Sequence, residues 1–351
     1  MCIPPSRPPF LLATLLLTFA AFAAALSPGL RPLSTIIALP NAHVRDCAPP
    51  LLWEGRFHTY CTHVPVGGGG GGSSAGYYGA VHHFYSKGGD PFEAPWLTSG
   101  AALNASAGPP SWESFGVFTP GAMVDASVSP PLWRLLYGAV GANFSRDAPF
   151  GNFSEAIGLA SAPSPFGPWA RSPLNPIAAP GPRGSFFEER VDNVRPTVLP
   201  GLGGPGPVLI VKGVQRDFEA LPGAWLPAGA GAPFGGPWAP PAAPLVSPSA
   251  ARDKGFENQE LFFGPDGVLH MVGSSHGCTT APRCNQHFES ADGGATWAFQ
   301  GLLEENLGEP APIYNGTVPP TAAPPLGFLQ FFEDPANGAR LSVRACAITW
   351  A

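Results

Sequence analysis

Three acidic residues are predicted to lie just before short apolar runs that are typical of β-strands: Asp46, Asp192 and Glu257. Each run is followed by turn residues and a second apolar run, which is the pattern of a β-hairpin. If these hairpins surround one axis, the three carboxyl groups meet at one end of it. Neighbouring, partly buried carboxyls raise one another's pKa, so one can donate a proton while another stays ionised. Hydrolysis of a glycosidic bond requires such a pair.

The elements that would position these acids repeat along the chain. Residues 290–297, with the sequence SADGGATW, predict a tight hairpin, because Asp and Gly allow the torsions of the turn. Looser versions end at Trp96, Trp169 and Trp238, at intervals of about 60–70 residues. Chance recurrence of Pro-Trp in a Pro-rich chain is the alternative. We interpret the interval as one four-stranded blade and predict an all-β, five-bladed β-propeller, in which residues 34–39 help to complete the last blade.

The composition sets limits on size and partners. At 351 residues with 44% hydrophobic residues, the chain can form one large core, and we assign residues 27–351 to a single propeller domain, expected to be a monomer. A net charge of −6 provides no electrostatic footprint for nucleic acid. The many Gly and Pro residues are expected in the loops between strands.

The N-terminal residues 1–26 read as a secretory signal peptide. Arg7 precedes an apolar run, and small residues near Ala25 offer a cleavage site. An uncleaved signal anchor is the alternative; after cleavage no membrane span is expected. Glycosylation sequons begin at four asparagines, which suits export: Asn104, Asn143, Asn152 and Asn315. We therefore expect a secreted protein.

Cysteine usage agrees with an oxidising compartment. Cys278 and Cys284 are expected to bridge a short loop, and Cys47 can pair with Cys61 across one hairpin. Cys346 is then left over. Because no CxxC or HxxxH spacing occurs, the sequence predicts no metal site.

The acidic motifs carry a resemblance to a known group of proteins. They read RDCAPPLLWEGRFHTY, RVDNVRPTVL and FENQELFFGPDGVLHMVGSS, and a further segment reads IGLASAPSPFGPW. Over residues 40–348 these motifs resemble the five-bladed propeller glycoside hydrolases of families 43 and 117. The resemblance implies that Asp46 is the general base and Glu257 the general acid. It also implies that Asp192 orients the acid and tunes its pKa. It suggests a Ca²⁺ ion in the central channel, which no ligand spacing supports; no other cofactor is expected.

The chain departs from both family patterns around Glu257. Family 43 typically has Glu-Gly-Pro where this chain has Glu257-Asn258-Gln259. Family 117 typically has His-Glu-Asn, and Phe256 stands in place of its His. A histidine acid like that of family 117 would be His276 or His270. Glu260 competes with Glu257 if the strand register shifts.

Five further residues are candidates for substrate binding. Trp53 and Phe118, together with Trp112, could form a platform on which a sugar ring stacks, although each could equally be core. Arg195 could bind a substrate hydroxyl or carboxylate, or pair with Asp192. His276, beside the expected disulfide loop, could contact substrate or be structural.

These patterns predict a secreted glycoside hydrolase that cleaves an oligo- or polysaccharide with inversion. One alternative is a non-catalytic carbohydrate-binding propeller that kept the scaffold and lost the acid. The other is a sialidase, which also carries hairpins like residues 290–297. It normally has six blades, an arginine triad and a tyrosine nucleophile, and this chain is poor in arginine and has one clear hairpin of this type.

Overall fold

The structure is a computed structural model. It describes residues 28–350 except 38, 40–41, 66–78, 90–94, 107–111, 142–154, 203–205, 216–219, 229–233, 235, 248–255, 264–266, 277–282, 303–315, 318–325 and 335–339. Several predictions therefore lie outside the described residues: the signal peptide at 1–26, the sequons at Asn143, Asn152 and Asn315, and Cys278. The predictions of a cleaved, exported chain stay predictions.

The described residues form β-strands and one 3₁₀ turn at Pro200–Leu202. Sheet I contains β2 (Ala42–Arg45), β3 (Leu51–Trp53), β4 (Arg56–Pro65), β5 (Ala80–Tyr85) and β6 (Leu97–Leu103). Sheet II contains β7 (Gly116–Asp125), β8 (Leu132–Val140), β9 (Ala156–Ala162) and β10 (Ala170–Arg171). Sheet III contains β11 (Arg190–Thr197), β12 (Val208–Val214), β13 (Ala220–Pro227) and β14 (Trp238–Ala239).

The remaining strands form two more sheets. Sheet IV contains β15 (Phe256–Phe263), β16 (Leu269–His276), β17 (Arg283–Ser290) and β18 (Ala298–Leu302). Sheet V contains β1 (Pro28–Ile37), β19 (Gly316–Thr317), β20 (Leu326–Asp334) and β21 (Arg340–Trp350). Neighbouring strands in all five sheets run antiparallel, and the prediction of an all-β chain is confirmed.

The sheets follow one another around an axis in a β-propeller arrangement. Strand β7 packs on β4 and β11, β11 packs on β15, and β15 packs on β19. Strand β2 packs on β21, which closes the ring. We call β2–β3, β7, β11 and β15 the inner strands of sheets I to IV. Within the described residues, no helix has the length and apolar character needed to cross a membrane.

The recurring tryptophan marks the outer strand of each of the first four sheets. Trp96 and Trp169 directly precede β6 and β10, Trp238 begins β14, and Trp297 directly precedes β18. In the hairpin at 290–297, the Asp292 Oδ1 atom accepts hydrogen bonds from Ser290 Oγ at 2.8 Å and from Thr296 N at 2.9 Å. The predicted repeat and its turn are confirmed.

The N-terminal segment joins the last sheet, as expected. Strand β1 pairs antiparallel with β21, from Pro28 opposite Trp350 to Ile37 opposite Val343. The strand begins earlier than the predicted segment 34–39, since Pro28 is already paired.

Apolar side chains from adjacent sheets form the core. One cluster includes Leu136, Val194, Leu209 and Phe256, from sheets II to IV. A second joins Tyr60 of sheet I to Trp133 and Ala160 of sheet II, among others. Because a sheet packed on both faces buries consecutive residues, every residue of β12 (VLIVKGV) is buried.

One disulfide fixes the first inner strand. Cys47 and Cys61 are bonded, which confirms the predicted pair and links the residue after Asp46 to the middle of β4. Cys284 and Cys346 lie in β17 and β21, and their side chains lie outside the described part of the structure.

Candidate active site

The four inner strands share a β-bulge at one register position. In sheet III the pairing moves from Asp192 opposite Lys212 to Arg195 opposite Ile210. The same three-against-two shift occurs from Phe118 to Gly121 in β7 and from Glu257 to Glu260 in β15. In sheet I, Arg45 pairs with Thr62, and the next bond runs from Ala48 N to Tyr60 O at 2.7 Å. Bulges of this kind re-aim side chains beside active sites.

The residue that forms each bulge has a left-handed backbone. The φ angles are +48° at Asp46, +41° at Thr119, +49° at Asn193 and +54° at Asn258. Asp and Asn tolerate this region, whereas a β-branched Thr rarely adopts it. Thr119 is therefore the strained member of the four, and strain of this kind is common at functional sites.

The three predicted acids are close to these bulges but are not equivalent to one another. Asp192 and Glu257 directly precede the left-handed residue, and Asp46 is itself that residue. In sheet I the position equivalent to Asp192 is occupied by Arg45. The prediction that each acid comes just before a strand is wrong for Asp192 and Glu257, which lie inside β11 and β15. Asp46 lies between β2 and β3 and precedes β3, as predicted.

Hydrogen bonds between the bulges tie neighbouring sheets together. The Thr119 amide donates to Thr62 Oγ1 at 2.8 Å, and the Asn193 amide donates to Thr119 Oγ1 at 3.3 Å. From sheet IV, Gln259 Nε2 donates to the Asn193 carbonyl at 2.7 Å. All of these residues are buried. We call these three hydrogen bonds the belt. The belt holds together the strand segments that carry Asp192 and Glu257.

Arg195 lies at the centre of this belt and is 2% exposed. Its Nη1 atom donates to the carbonyls of Pro120 and Val194 at 2.9 and 3.1 Å, and its Nη2 atom donates to the Cys47 carbonyl at 3.2 Å. Its Nε atom pairs with Glu260. These partners belong to sheets I to IV, so the observed contacts make Arg195 a positioning residue. They also bring the residue next to Asp46 to the strand that carries Asp192.

Asp46 is 2% exposed and forms an ion pair with its neighbour, with Arg45 Nε 2.6 Å from its Oδ2 atom. The pair fixes the orientation of a carboxylate that already follows a constrained backbone. Its position at the bulge, beside the Cys47 disulfide, leaves it little freedom to move.

Asp192 belongs to a group of four charged side chains, of which all but Arg190 are buried. Its Oδ1 atom lies 2.8 Å from Lys212 Nζ, and its carboxyl shares a hydrogen bond with the Glu155 carboxyl. Glu155 in turn lies 3.5 Å from Arg190 Nη1. Burial raises the pKa of Asp192 to about 7, and Glu155 adds to this rise, while Lys212 and Arg190 oppose it. A carboxyl pair of this kind holds a proton near neutral pH.

This raised pKa predicts a pH-dependent stability. The folded protein binds a proton at Asp192 that the unfolded chain has lost, so the contribution of Asp192 to stability falls as pH rises from about 4 to about 7. Burial lowers the pKa of His58 and His82 to about 4 and of His83 and His287 to about 3, so the contributions of these histidines rise with pH over the same range. Because an asparagine side chain cannot ionise, we expect the melting temperature of Asp192→Asn to rise relative to that of the wild type from about pH 4 to about pH 7. Thermal unfolding followed by circular dichroism across the range measures the difference.

The control for that experiment is Asp292→Asn in the exposed hairpin. Hydrogen bonds from Thr296 and Ser290 lower the pKa of Asp292 to about 2, so its contribution to stability is lost only as pH falls from about 4 towards 2. A difference in melting temperature between Asp192→Asn and the wild type that stays constant from pH 4 to pH 7 would contradict the raised pKa.

The structure separates the two glutamates of β15. Glu260 is 2% exposed and paired with Arg195, which removes it as the competing acid. Glu257 lies directly before the bulge, in the register position of Asp192, with its backbone opposite Ser274. Its side chain lies outside the described part of the structure.

Trp53 lines a pocket whose described residues include none of the three acids. The pocket has a volume of about 470 Å³ and is also lined by Met123, Arg195, Glu260 and Leu261, among others. These residues come from the later halves of the inner strands, whereas the acids come from the earlier halves. The Trp53 ring packs edge-on against Trp133 at 5.7 Å between ring centroids.

The other predicted binding residues have different environments. Phe118 occupies the bulge position of sheet II, on the same register as Asp192, but is only 3% exposed. Trp112 stacks on Tyr137. His276 ends β16 opposite Arg283, and its side chain is outside the described part. His270 is completely buried, stacked on Phe262 and away from the channel strands' bulges.

Hard cations fit the oxygen donors at the bulges. Asn193 Oδ1 and Gln259 Oε1 are buried and accept no hydrogen bond from the described residues. Amide carbonyl oxygens of this type are ligands that Ca²⁺ prefers. The residues thus suit the ion that the sequence resemblance suggested.

Sequence reasoning missed Glu155 and Lys212, the partners of Asp192. Glu155 directly precedes β9, and an acid beside a continuous apolar strand could have drawn attention to it. Lys212 is a single charge inside an apolar strand, which is the same kind of signal, because a buried charge is nearly always paired.

Comparisons with known proteins agree with the fold. No family model matches the chain, and no curated protein matches it. Among solved structures, Zg3597, a family 117 glycoside hydrolase from Zobellia galactanivorans, aligns at 15% identity over 92% of this chain and 91% of its own, with a TM-score of 0.65. An endo-arabinase from Bacteroides thetaiotaomicron aligns at 13% identity over 91% and 98%, with a TM-score of 0.59. A thermostable family 43 glycoside hydrolase aligns at 13% over 91% and 92%, with a TM-score of 0.58. The chain is therefore similar in fold to propeller glycoside hydrolases.

Proposed function

We propose that this chain is a secreted glycoside hydrolase that cleaves an oligo- or polysaccharide with inversion, and that each of its five sheets is one blade of a five-bladed propeller. One observation carries the proposal: the acids Asp46, Asp192 and Glu257 all lie at the repeated bulge of inner strands that Arg195 and the hydrogen-bonded belt tie together. The similarity in fold to hydrolases of families 117 and 43 supports it.

In the proposed mechanism, Asp46 takes a proton from water as the water oxygen attacks the anomeric carbon. Glu257 gives its proton to the glycosidic oxygen as the bond between that oxygen and the anomeric carbon breaks. Because the water attacks the face opposite the leaving group, the product has inverted configuration. Asp192, held by Lys212 and sharing a hydrogen bond with Glu155, orients the acid.

A Ca²⁺ ion in the channel is part of the proposal. Asn193 and Gln259 would hold it through their amide oxygens. When bound, the ion supplies positive charge and fixes the bulges; the proton transfers remain with the protein's carboxyl groups.

We also propose that the protein is exported from the cell. The Cys47–Cys61 disulfide suits an oxidising compartment. Asn104, the first residue of a sequon, is exposed and can be reached by a glycosyltransferase.

The test is a hydrolysis screen of the purified protein on aryl glycosides and on algal and plant oligosaccharides, with product anomers followed by proton NMR. We expect Asp46→Asn to lower kcat by about 10²- to 10⁴-fold, the usual contribution of a general base. Asn tolerates the left-handed backbone at this position, so the variant should fold.

Asp292→Asn, in the hairpin at 290–297, is the matched control and should keep full activity. Inverted product lost in Asp46→Asn supports the proposal. A folded wild-type protein that binds sugars and cleaves none of them would replace it with the carbohydrate-binding propeller.

A further inference from the structure

A pair of histidines joins the second and third strands of sheet IV. His270 of β16 and His287 of β17 are 0% and 3% exposed, with His270 Nδ1 2.8 Å from His287 Nε2. Glu289 lies directly opposite His270 in the strand register. Its Oε1 atom is 3.6 Å from His270 Nδ1 and 3.8 Å from His287 Nε2. Two imidazole nitrogens and one carboxylate oxygen thus converge on one point.

Sheet I contains the same pair without the carboxylate. His58 Nδ1 of β4 lies 3.0 Å from His83 Nε2 of β5, and the residue opposite His58 is Tyr85. The register is identical, so Tyr85 occupies the place of Glu289. Two stacked histidines alone therefore recur as a packing feature, and the carboxylate distinguishes sheet IV.

The three atoms in sheet IV have the spacing of a metal site. A triangle with sides of 2.8, 3.6 and 3.8 Å has a centre about 2.0 Å from each corner, and zinc binds imidazole nitrogen and carboxylate oxygen at about 2.0–2.2 Å. Two nitrogens on tetrahedral zinc lie about 3.3 Å apart, so the imidazoles must separate by about half an ångström and tilt towards the metal. The Glu289 side chain is 26% exposed, which leaves an approach for the ion and for a water as fourth ligand.

We propose that His270, His287 and Glu289 bind one Zn²⁺ ion, which ties β16 to β17 beside the hairpin that begins at Ser290. The site is separate from the proposed catalytic channel, because its ligands come from the second and third strands of the sheet. The sequence predicted no metal site, because its ligands lie 17 residues apart on two strands and match no short motif.

The test is isothermal titration of the full chain, stripped with chelator, with ZnCl₂, together with elemental analysis of the bound zinc. We expect one zinc per chain and a higher melting temperature with zinc. Glu289→Gln should weaken binding by at least about 10- to 100-fold, since even the partners of metal ligands contribute that much. Glu289→Tyr should abolish it, because it copies the arrangement of sheet I.

His83→Gln in sheet I is the matched control and should leave zinc binding unchanged. Glu289 is partly exposed, so its variants should fold even if changes at buried His270 do not. The proposal is overturned if the wild-type chain binds no zinc. It is equally overturned if Glu289→Gln and Glu289→Tyr bind zinc as tightly as the wild type.

Discussion

The Glu257→Gln variant is expected to lose about 10²- to 10⁴-fold in kcat on natural oligosaccharides, because their leaving oxygen must be protonated as the bond breaks. It should retain most of its activity on a dinitrophenyl glycoside, whose phenolate leaves without a proton. The ratio of the two kcat values, measured for wild type and variant, tests whether Glu257 is the general acid. Gln has nearly the size and shape of Glu, so the substitution should preserve the strand just before the bulge.

Two further variants make this experiment specific. Asp46→Asn should slow both substrates to a similar extent, since both need the attacking water to lose a proton. His276→Gln tests the histidine that the sequence offered as an alternative acid. If His276→Gln shows the dependence on leaving group and Glu257→Gln does not, the acid has been misassigned.

Arg195→Met is expected to destabilise the fold by about 3–5 kcal/mol, the usual cost of removing one partner from a buried ion pair. The variant leaves the Glu260 carboxylate buried without its guanidinium, and it removes donors from the carbonyls of Cys47, Pro120 and Val194. Urea unfolding followed by tryptophan fluorescence measures the loss. Because the belt positions the acids, activity should fall under conditions in which the variant is still folded.

The double variant Arg195→Met/Glu260→Leu separates the two contributions. It should recover part of the stability by removing the stranded charge, while the backbone carbonyls stay without their donor. Arg56→Met is the matched control, since Arg56 is exposed and lies over the Tyr85 ring at 5.8 Å; about 1 kcal/mol or less is expected. A loss of stability in Arg195→Met no larger than that in Arg56→Met would show that the contacts of Arg195 contribute little to stability.

The repeating framework was predictable from sequence because its signals are local. A turn such as Asp292-Gly293-Gly294 needs particular residue types at particular positions, whatever the rest of the chain does. The four tryptophans therefore located the outer strands of sheets I to IV correctly. The same reasoning placed the hairpins that follow Asp46 and Glu257, and the disulfide across the first of them.

The bulges were not predictable, because a bulge is a property of two paired strands. The residues around Asp192 carry no mark of the register shift that appears only when β11 pairs with β12. The role of Arg195 is non-local in the same way, since its partners lie as far as 148 positions away in sequence. Its charge suggested a contact with substrate, and only the packing of four sheets around it shows where its donors are used.

The pairing of β1 with β21 has a consequence for how the chain folds. Pro28 and Trp350 are more than 300 positions apart, so pairing them closes one of the longest loops that this polypeptide can form. The entropic cost of closing a loop increases with its length, although slowly. Sheets I to IV are each built from consecutive strands and can form as the chain is synthesised, whereas sheet V must wait for residues near both ends. Ring closure is therefore expected to be the slow, final step. A circular permutant that joins β21 to β1 and opens the chain between sheets II and III would make sheet V local and move the late step to the new break.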